Sequence, residues 1–425
     1  MIFCSYNHVV DTSANILSLA DRCVKCGLCL PQCPTYTLTE NENESPRGRI
    51  ALIQGWLTGQ LLPSKKLTQH LDQCLLCRRC ERVCPSVVPF GEIMDQSKAL
   101  LVAKTNKHAS IFIKNISLKL LLNKAIFGYL ISASRLLQKT GVLVLTTKIG
   151  LLKIIGVHRL ISYLPKLDKP LKTKTYYPAD SIHKKQLSQG NVALFTGCLS
   201  KQLDPKTVRA SIKLLNHLGY GVYVPEQQVC CGALHFHEGN SKQAVTFANN
   251  NISAFNLQKD ISTIVSLVNG CTSQLREYPQ QGTTGRFITE VKDIVEFLAE
   301  IDWPENIKLK PLDKKVALQI PCSLQNSLRA EDKLLSLIKR IPDLSLDTIY
   351  NRCCGAAGSY FLRHPQLSDQ LKEQAITQLN KTSPDIIISS NLGCALQLQA
   401  GLSKNKRAPQ VIHPVVLLEQ QIKLD

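Results

Sequence analysis

Two stretches of this 425-residue chain carry cysteines at one fixed spacing. Cys23, Cys26, Cys29 and Cys33 are followed by Pro34, and Cys74, Cys77, Cys80 and Cys84 by Pro85. Each run reads C-x2-C-x2-C-x3-C-P, the spacing by which thiolates hold [4Fe–4S] cubanes. Three cysteines in one tight loop bind three corners of a cubane. The fourth, where the proline turns the chain away, reaches the neighbouring cluster. The expected ligand sets are therefore crossed: Cys23, Cys26, Cys29 and Cys84 for one cluster, Cys74, Cys77, Cys80 and Cys33 for the other. C-x2-C pairs also bind zinc, but two four-cysteine runs that each end in Cys-Pro fit zinc poorly.

Eight more cysteines fall in an internal repeat. Asn191-Val192-Ala193-Leu194-Phe195-Thr196-Gly197-Cys198 matches Lys315-Val316-Ala317-Leu318-Gln319-Ile320-Pro321-Cys322. Cys230-Cys231-Gly232-Ala233 matches Cys353-Cys354-Gly355-Ala356, and Asn269-Gly270-Cys271 matches Leu392-Gly393-Cys394. The offsets of 124, 123 and 123 residues are too constant for chance and predict two homologous units. Each unit gathers a tetrad: Cys198, Cys230, Cys231 and Cys271, then Cys322, Cys353, Cys354 and Cys394. The glycine after each Cys-Cys lets the backbone approach a bulky group. Three readings stay open for each tetrad: an iron–sulfur cluster, a zinc site, or thiols that react or merely pack.

The elements that must hold these loops follow from the pattern. Each unit opens with a short apolar strand that delivers its first cysteine. A helix is expected over Thr207–Leu218, closed by Gly219. Strands at Ile264–Val268 and Ile386–Ser389 run into the last cysteines. Alternating strands and helices predict parallel sheets with ligands at the carboxyl ends of the strands. Between the two runs, Ser45-Pro46-Arg47-Gly48-Arg49 leads into Ile50-Ala51-Leu52-Ile53, a predicted helix beside the clusters. Arg47 and Arg49 either balance cluster charge or are solvated. The expected fold class is α+β overall: an N-terminal α-helical ferredoxin-like two-[4Fe–4S] module (1–105), then a basic helical region and linker (106–190). A duplicated α/β cysteine-rich module follows (191–310 and 311–425).

Composition narrows the class. Apolar residues make up 44% and charged residues 20%, ordinary for a globular protein. Met1–Ala20 has no basic n-region or apolar h-region and contains Asp11, so no signal peptide is expected. With 17 cysteines and a reducing compartment, metal ligation outranks disulfides. Of the net charge of +19, +14 lies in residues 101–190, where only Asp168 and Asp180 are acidic. The stretch Ile111–Leu164 is apolar and basic, and its longest uncharged run, Ala125–Ser134, is too short to span a bilayer. It lies either on an anionic membrane surface or against the protein's own core with lysines outward. Aromatics are sparse there and no nucleic-acid motif appears, so no nucleic-acid partner is expected. Residues 165–189 read as a linker. His235 and His237 read as ordinary polar packing, while Cys4 and His413 carry no signal. No G-x-G-x-x-G fingerprint for a flavin or nicotinamide is present.

These motifs, with Cys33-Pro34-Thr35-Tyr36, His70-Leu71-Asp72-Gln73-Cys74 and Asn391-Leu392-Gly393-Cys394, resemble the iron–sulfur subunits of glycolate oxidase, within the wider family of cysteine-rich (CCG) domain proteins. The resemblance covers nearly the whole chain. It implies an electron-transfer subunit without catalytic residues of its own. FAD would sit only on a partner chain that oxidises glycolate or a similar 2-hydroxy acid. Electrons would pass to a respiratory acceptor such as quinone at the inner face of the cytoplasmic membrane. Lactate-utilisation and anaerobic glycerol-3-phosphate complexes carry similar subunits. A heterodisulfide-reductase-like thiol–disulfide enzyme is the rival of a different class. Relatives of that kind end each unit in C-x-x-C, but here Gln274 and Gln397 stand where the fifth cysteine would be.

Overall fold

A computed structural model describes residues 12–104, 124–142, 146, 158–169, 171–180, 189–256, 260–279, 284–349, 353–402 and 408–424. Cys4 and much of the stretch 111–164 lie outside them.

The first hundred residues fold as helices, with no strand among those described. Helix Pro46–Leu57 starts where expected. The Ser45 hydroxyl accepts from the Gly48 amide, and Pro46 occupies the first turn, where its missing N–H leaves nothing unsatisfied. It packs with Thr12–Ala20, Lys65–Asp72 and Phe90–Lys104 around Ile16, Ile53, Trp56, Leu71, Ile93 and Met94. The loops of the two cysteine runs hang from this bundle, and Cys23, Cys74, Cys80 and Cys84 border its apolar core.

The strands are β1 (Tyr176–Tyr177), β2 (Gly190–Phe195), β3 (Tyr220–Tyr223), β4 (Ile261–Ser266), β5 (Val291–Asp293), β6 (Ile307–Leu309), β7 (Lys315–Gln319), β8 (Ser345–Ile349), β9 (Ile386–Ser389), β10 (Gln410–Ile412) and β11 (Ile422–Leu424). One sheet runs β1-β3-β2-β4-β5, a second β8-β7-β9-β10, and β6 pairs with β11 in a third, so β3-β2-β4-β5 and β8-β7-β9-β10 repeat one topology. Every pairing within those two four-stranded sets is parallel. Their central strands are apolar on both faces, as a covered parallel sheet requires.

The duplication expected from the offsets is therefore present in the sheet order. Helix Pro205–His217 ends as predicted, with Gly219 at φ +87 just beyond it. Two details differ from expectation. β4 spans Ile261–Ser266, because Leu267 and Val268 already turn into helix Asn269–Arg276. The segment read as linker supplies β1, which pairs antiparallel with β3 as an edge strand.

The two units share a core. One apolar cluster takes Val192, Leu194 and Val222 from the first and Val316, Leu318 and Ile388 from the second. The opposite face of each sheet has its own cluster, and these outer clusters hold Cys230 and Cys231 in one unit, Cys354 and Cys394 in the other.

Candidate functional site

The two runs adopt one backbone. Lys25 and Gly27 in the first, and Leu76 and Arg78 in the second, occupy corresponding places on either side of the second cysteine. All four have positive φ, at 55, 86, 51 and 54°. Left-handed steps at non-glycine residues cost energy, and loops at functional sites retain them. The result is a pair of loops with the same turn, and Leu76 N donates to Cys74 Sγ at 3.4 Å.

Cys33 of the first run lies beside the second run. Cys33, Cys74, Cys77 and Cys80 line one small cavity together with Arg49 and Arg79. Cys33 stands at the N-terminus of helix Pro34–Thr39, so Pro34 both starts that helix and turns the thiol inward. Burial pushes the Cys77 thiol up to about 12, with the charges of Cys353 and Cys33 adding and Arg79 opposing. Burial likewise raises Cys74, against Arg49 and Lys98, and lifts Cys80 well above its ordinary range with help from Cys77 and Cys74. Thiols so placed are poor free thiolates, and bound iron is what would deprotonate them. The residues fit a cubane: four converging thiols, a cavity and two adjacent cations. In the first set, Cys29 lies within the field of Cys23, Cys26 is exposed, and Cys84 borders the same core as Cys23.

Arg47 and Arg49 part company. Arg47 pairs with Glu42 at 2.7 Å on the surface, and Arg47 Nη1 donates to the Lys25 carbonyl at 3.2 Å. Arg49 is 1% exposed. It pairs with Glu44 at 2.5 Å, donates to Thr35 Oγ1 at 3.1 Å and donates through Nε to the His70 carbonyl at 2.8 Å. Thr35 Oγ1 lies 3.2 Å from Cys33 Sγ, and His70 Nδ1 meets Glu44 at 2.5 Å. Arg49 is thus linked through Thr35 to the Cys33 thiol of the first run.

Each tetrad of the repeat also assembles. Cys198, Cys230, Cys231 and Cys271 form a hydrogen-bonded chain in which bonds from Cys198 and Cys231 hold the Cys230 thiol well below its ordinary range. Cys353, Cys354 and Cys394 form a similar chain, with Cys354 Sγ and Cys394 Sγ 2.7 Å apart, and Cys322 lies within the field of Cys353. Gly232 N donates to Cys230 Sγ and Gly355 N to Cys353 Sγ, both at 3.4 Å. Those glycines have φ +88 and +77, the left-handed turn that aims two adjacent thiols at one place. Among the described residues, no three His, Cys, Asp or Glu side chains are set around a single-ion position.

His237 binds Asp95 of the helical module at 3.0 Å and His235 is buried against Phe247, so both pack as expected. Three participants escaped the sequence reading. Arg79 had a signal, as a cation inside a ligand loop. Glu44 had none, being an acid among acids in Glu40–Glu44. His413 caps helix Pro414–Gln421 by accepting from Val415 N at 3.3 Å, and burial pushes it down to about 4.

A family profile described as "4Fe-4S dicluster domain" matches residues 19–88, and one described as "Cysteine-rich domain" matches 192–276 and 316–399. The chain is 29% identical over 402 residues to the probable glycolate oxidase iron-sulfur subunit of Bacillus subtilis, covering 90% of this chain and 89% of that one. It is 28% identical over 425 residues to the glycolate oxidase iron-sulfur subunit of Escherichia coli, covering 96% and 95%. Lactate utilization protein A of Bacillus pumilus is 26% identical over 240 residues, 54% of this chain and 99% of that protein. Along nearly its whole length, as a dicluster iron–sulfur domain followed by two cysteine-rich domains, the chain is a homologue of the glycolate oxidase iron–sulfur subunits.

Proposed function

We propose that this chain is the iron–sulfur electron-transfer subunit of a glycolate or similar 2-hydroxy-acid oxidase, taking electrons from an FAD-containing partner chain and passing them to a respiratory acceptor such as quinone. The observation that carries the reading is the cavity where Cys33 from one run meets Cys74, Cys77 and Cys80 from the other. One cluster is held by that set and a second by Cys23, Cys26, Cys29 and Cys84. Bound there, the clusters supply one-electron transfer without proton chemistry. The chain's own residues hold the thiols at fixed separation, exclude water from the second site, and set buried cations beside it. Glycolate is favoured over lactate because the glycolate oxidase relatives match 90% and 96% of this chain, whereas the lactate relative matches 54% of it. The proposed domains are 1–105, 106–190, 191–310 and 311–425.

We place the basic middle on an anionic membrane surface. What supports this is helix Lys124–Lys139, which buries Ile131 but exposes Tyr129 (76%), Leu130 (44%) and Leu136 (63%). An outer face that is apolar and basic suits a lipid boundary better than water. No helix among the described residues is long and apolar enough to cross a membrane.

The test is iron and acid-labile sulfide in the anaerobically purified chain, with EPR after reduction. At least about eight irons, as two cubanes require, and a two-cluster signal are expected. Zinc in place of iron would overturn the reading.

A further inference from the structure

The second cysteine run and the second cysteine-rich unit meet at the thiols themselves. Asn326 Nδ2 donates to the Cys77 carbonyl at 2.8 Å, and Asn326 lies on Ser323–Leu328, the wide helical turn that Cys322 opens. Such turns are rare and gather at functional sites. Helix Arg79–Arg82 packs on that turn, where Arg82 donates to the Gln325 carbonyl at 2.6 Å and pairs with Glu331 at 2.5 Å. Cys77 and Cys353 both pack on one small apolar cluster of Leu75, Tyr360 and Leu371. Arg79, 8% exposed, lines the cavity of Cys33, Cys74, Cys77 and Cys80. Its charge opposes the burial that raises Cys77 and Cys322, and it bears in the same sense on Cys353.

The first unit docks differently. Among the described residues, its side-chain links to the helical module include Arg78 to Glu277 at 2.9 Å and His237 to Asp95 at 3.0 Å; Arg78 lines the run's thiol cavity, but its partner Glu277 and the pair His237–Asp95 bring no thiol of the first tetrad to it. The groups that bear most on Cys198, Cys230 and Cys231 include the other thiols of their own tetrad and no thiol of either run. A duplication that looks symmetric in sequence is asymmetric in its contacts.

We propose that Cys322, Cys353, Cys354 and Cys394 hold the redox neighbour of the group bound by Cys33, Cys74, Cys77 and Cys80, with Arg79 as the counter-charge between them, and that the first tetrad has no such contact. This rests on the iron–sulfur reading above. The exchange is one electron leaving one iron–sulfur group and entering another, with no bond made or broken. A cation fixed in a dry site favours the reduced, more negative state of both groups.

The experiment uses the full chain, purified anaerobically, and reads the EPR signal of the two-run module by redox titration and power saturation. Arg79→Gln is expected to shift reduction about tenfold toward the oxidised form, about 59 mV for one electron, with Arg79→Lys restoring most of it. Cys322→Ser is expected to slow the relaxation of that signal, and Cys198→Ser to leave it unchanged. Equal effects of the two serine variants, no effect of either, or an unshifted potential in Arg79→Gln would overturn the inference. In each of those outcomes the wild-type signal and iron content stand, so the electron-transfer reading survives. Absence of the signal from the wild-type chain sinks both.

Discussion

His413 sits between the carboxyl ends of two sheets and titrates against burial. Its ordinary value is 6.5 and its folded value about 4, because burial disfavours the charged ring more than the backbone of Leu267 and Ser390 favours it. The folded value lies below the unfolded one. The unfolded chain therefore takes the proton first, and the contribution is present above pH 6.5 and lost as pH falls toward 4. A depression of this size is worth up to about 3 kcal/mol, of which about 2 kcal/mol disappears between pH 7 and pH 5. His413→Asn removes the titration but keeps a side-chain oxygen for the Val415 amide that His413 Nδ1 caps. Urea unfolding of both proteins at the two pH values measures the difference. His364, also pushed down to about 4 by burial, remains in both and cancels. The wild type should lose about 2 kcal/mol more than the variant on acidification. Parallel losses would refute the reasoning, because nothing else separates the two proteins in this range.

Other outcomes follow from the same structure. Glu44→Gln leaves the buried Arg49 guanidinium without its carboxylate and should destabilise by about 3–5 kcal/mol in chemical denaturation; a loss within experimental error would mean that water or bound anionic sulfur already compensates Arg49. Gly355→Ala should cost about 1–3 kcal/mol more than Gly232→Ala. Both need a left-handed backbone, but a Cβ at 355 would lie 2.4 Å from the Ser368 carbonyl, whereas at 232 its nearest neighbour is 3.4 Å away. Thermal midpoints of the two variants rank them. Arg159→Ala should free helix His158–Ser162 from Asp369, which Arg159 meets at 2.8 Å. The pair is partly exposed, so the change should be below about 1 kcal/mol and read best as faster proteolysis within residues 158–169. Lys372 and Arg159 hold Asp369 down at about 2 despite partial burial, so this latch is fully formed above pH 4 and loosens only as pH falls through 2.

The runs, the repeat and the parallel character of the sheets were legible because each imposes a rule on the chain itself. Cys-Pro fixes a turn, and a duplicated sheet keeps its offsets from Cys198 to Cys394. The extent of β4 was not, since Leu267 and Val268 are as strand-like as Ile264 and only the helix they enter decides their shape. Arg49 and Arg47 differ by two positions, and no periodicity says that one turns in toward Thr35 and the other out toward Glu42. Arg159 looked like one more cation of the basic stretch, but Asp369, 210 residues away, claims it. Contacts between the run and the second unit were invisible for the same reason: Asn326 is an unremarkable amide until folding carries it to the Cys77 carbonyl.

The apolar cluster shared by the two sheets has a consequence during synthesis. The first unit leaves the ribosome with Val192, Leu194 and Val222 facing a partner not yet made. At about 5–20 residues per second, the 123 residues that separate equivalent landmarks take roughly 6–25 seconds to appear. For that interval the nascent chain presents a sticky sheet face with nothing to cover it. Chaperone capture and aggregation therefore compete for the same half-finished molecule, and slow translation of the second unit lengthens the window in which misassembly can win.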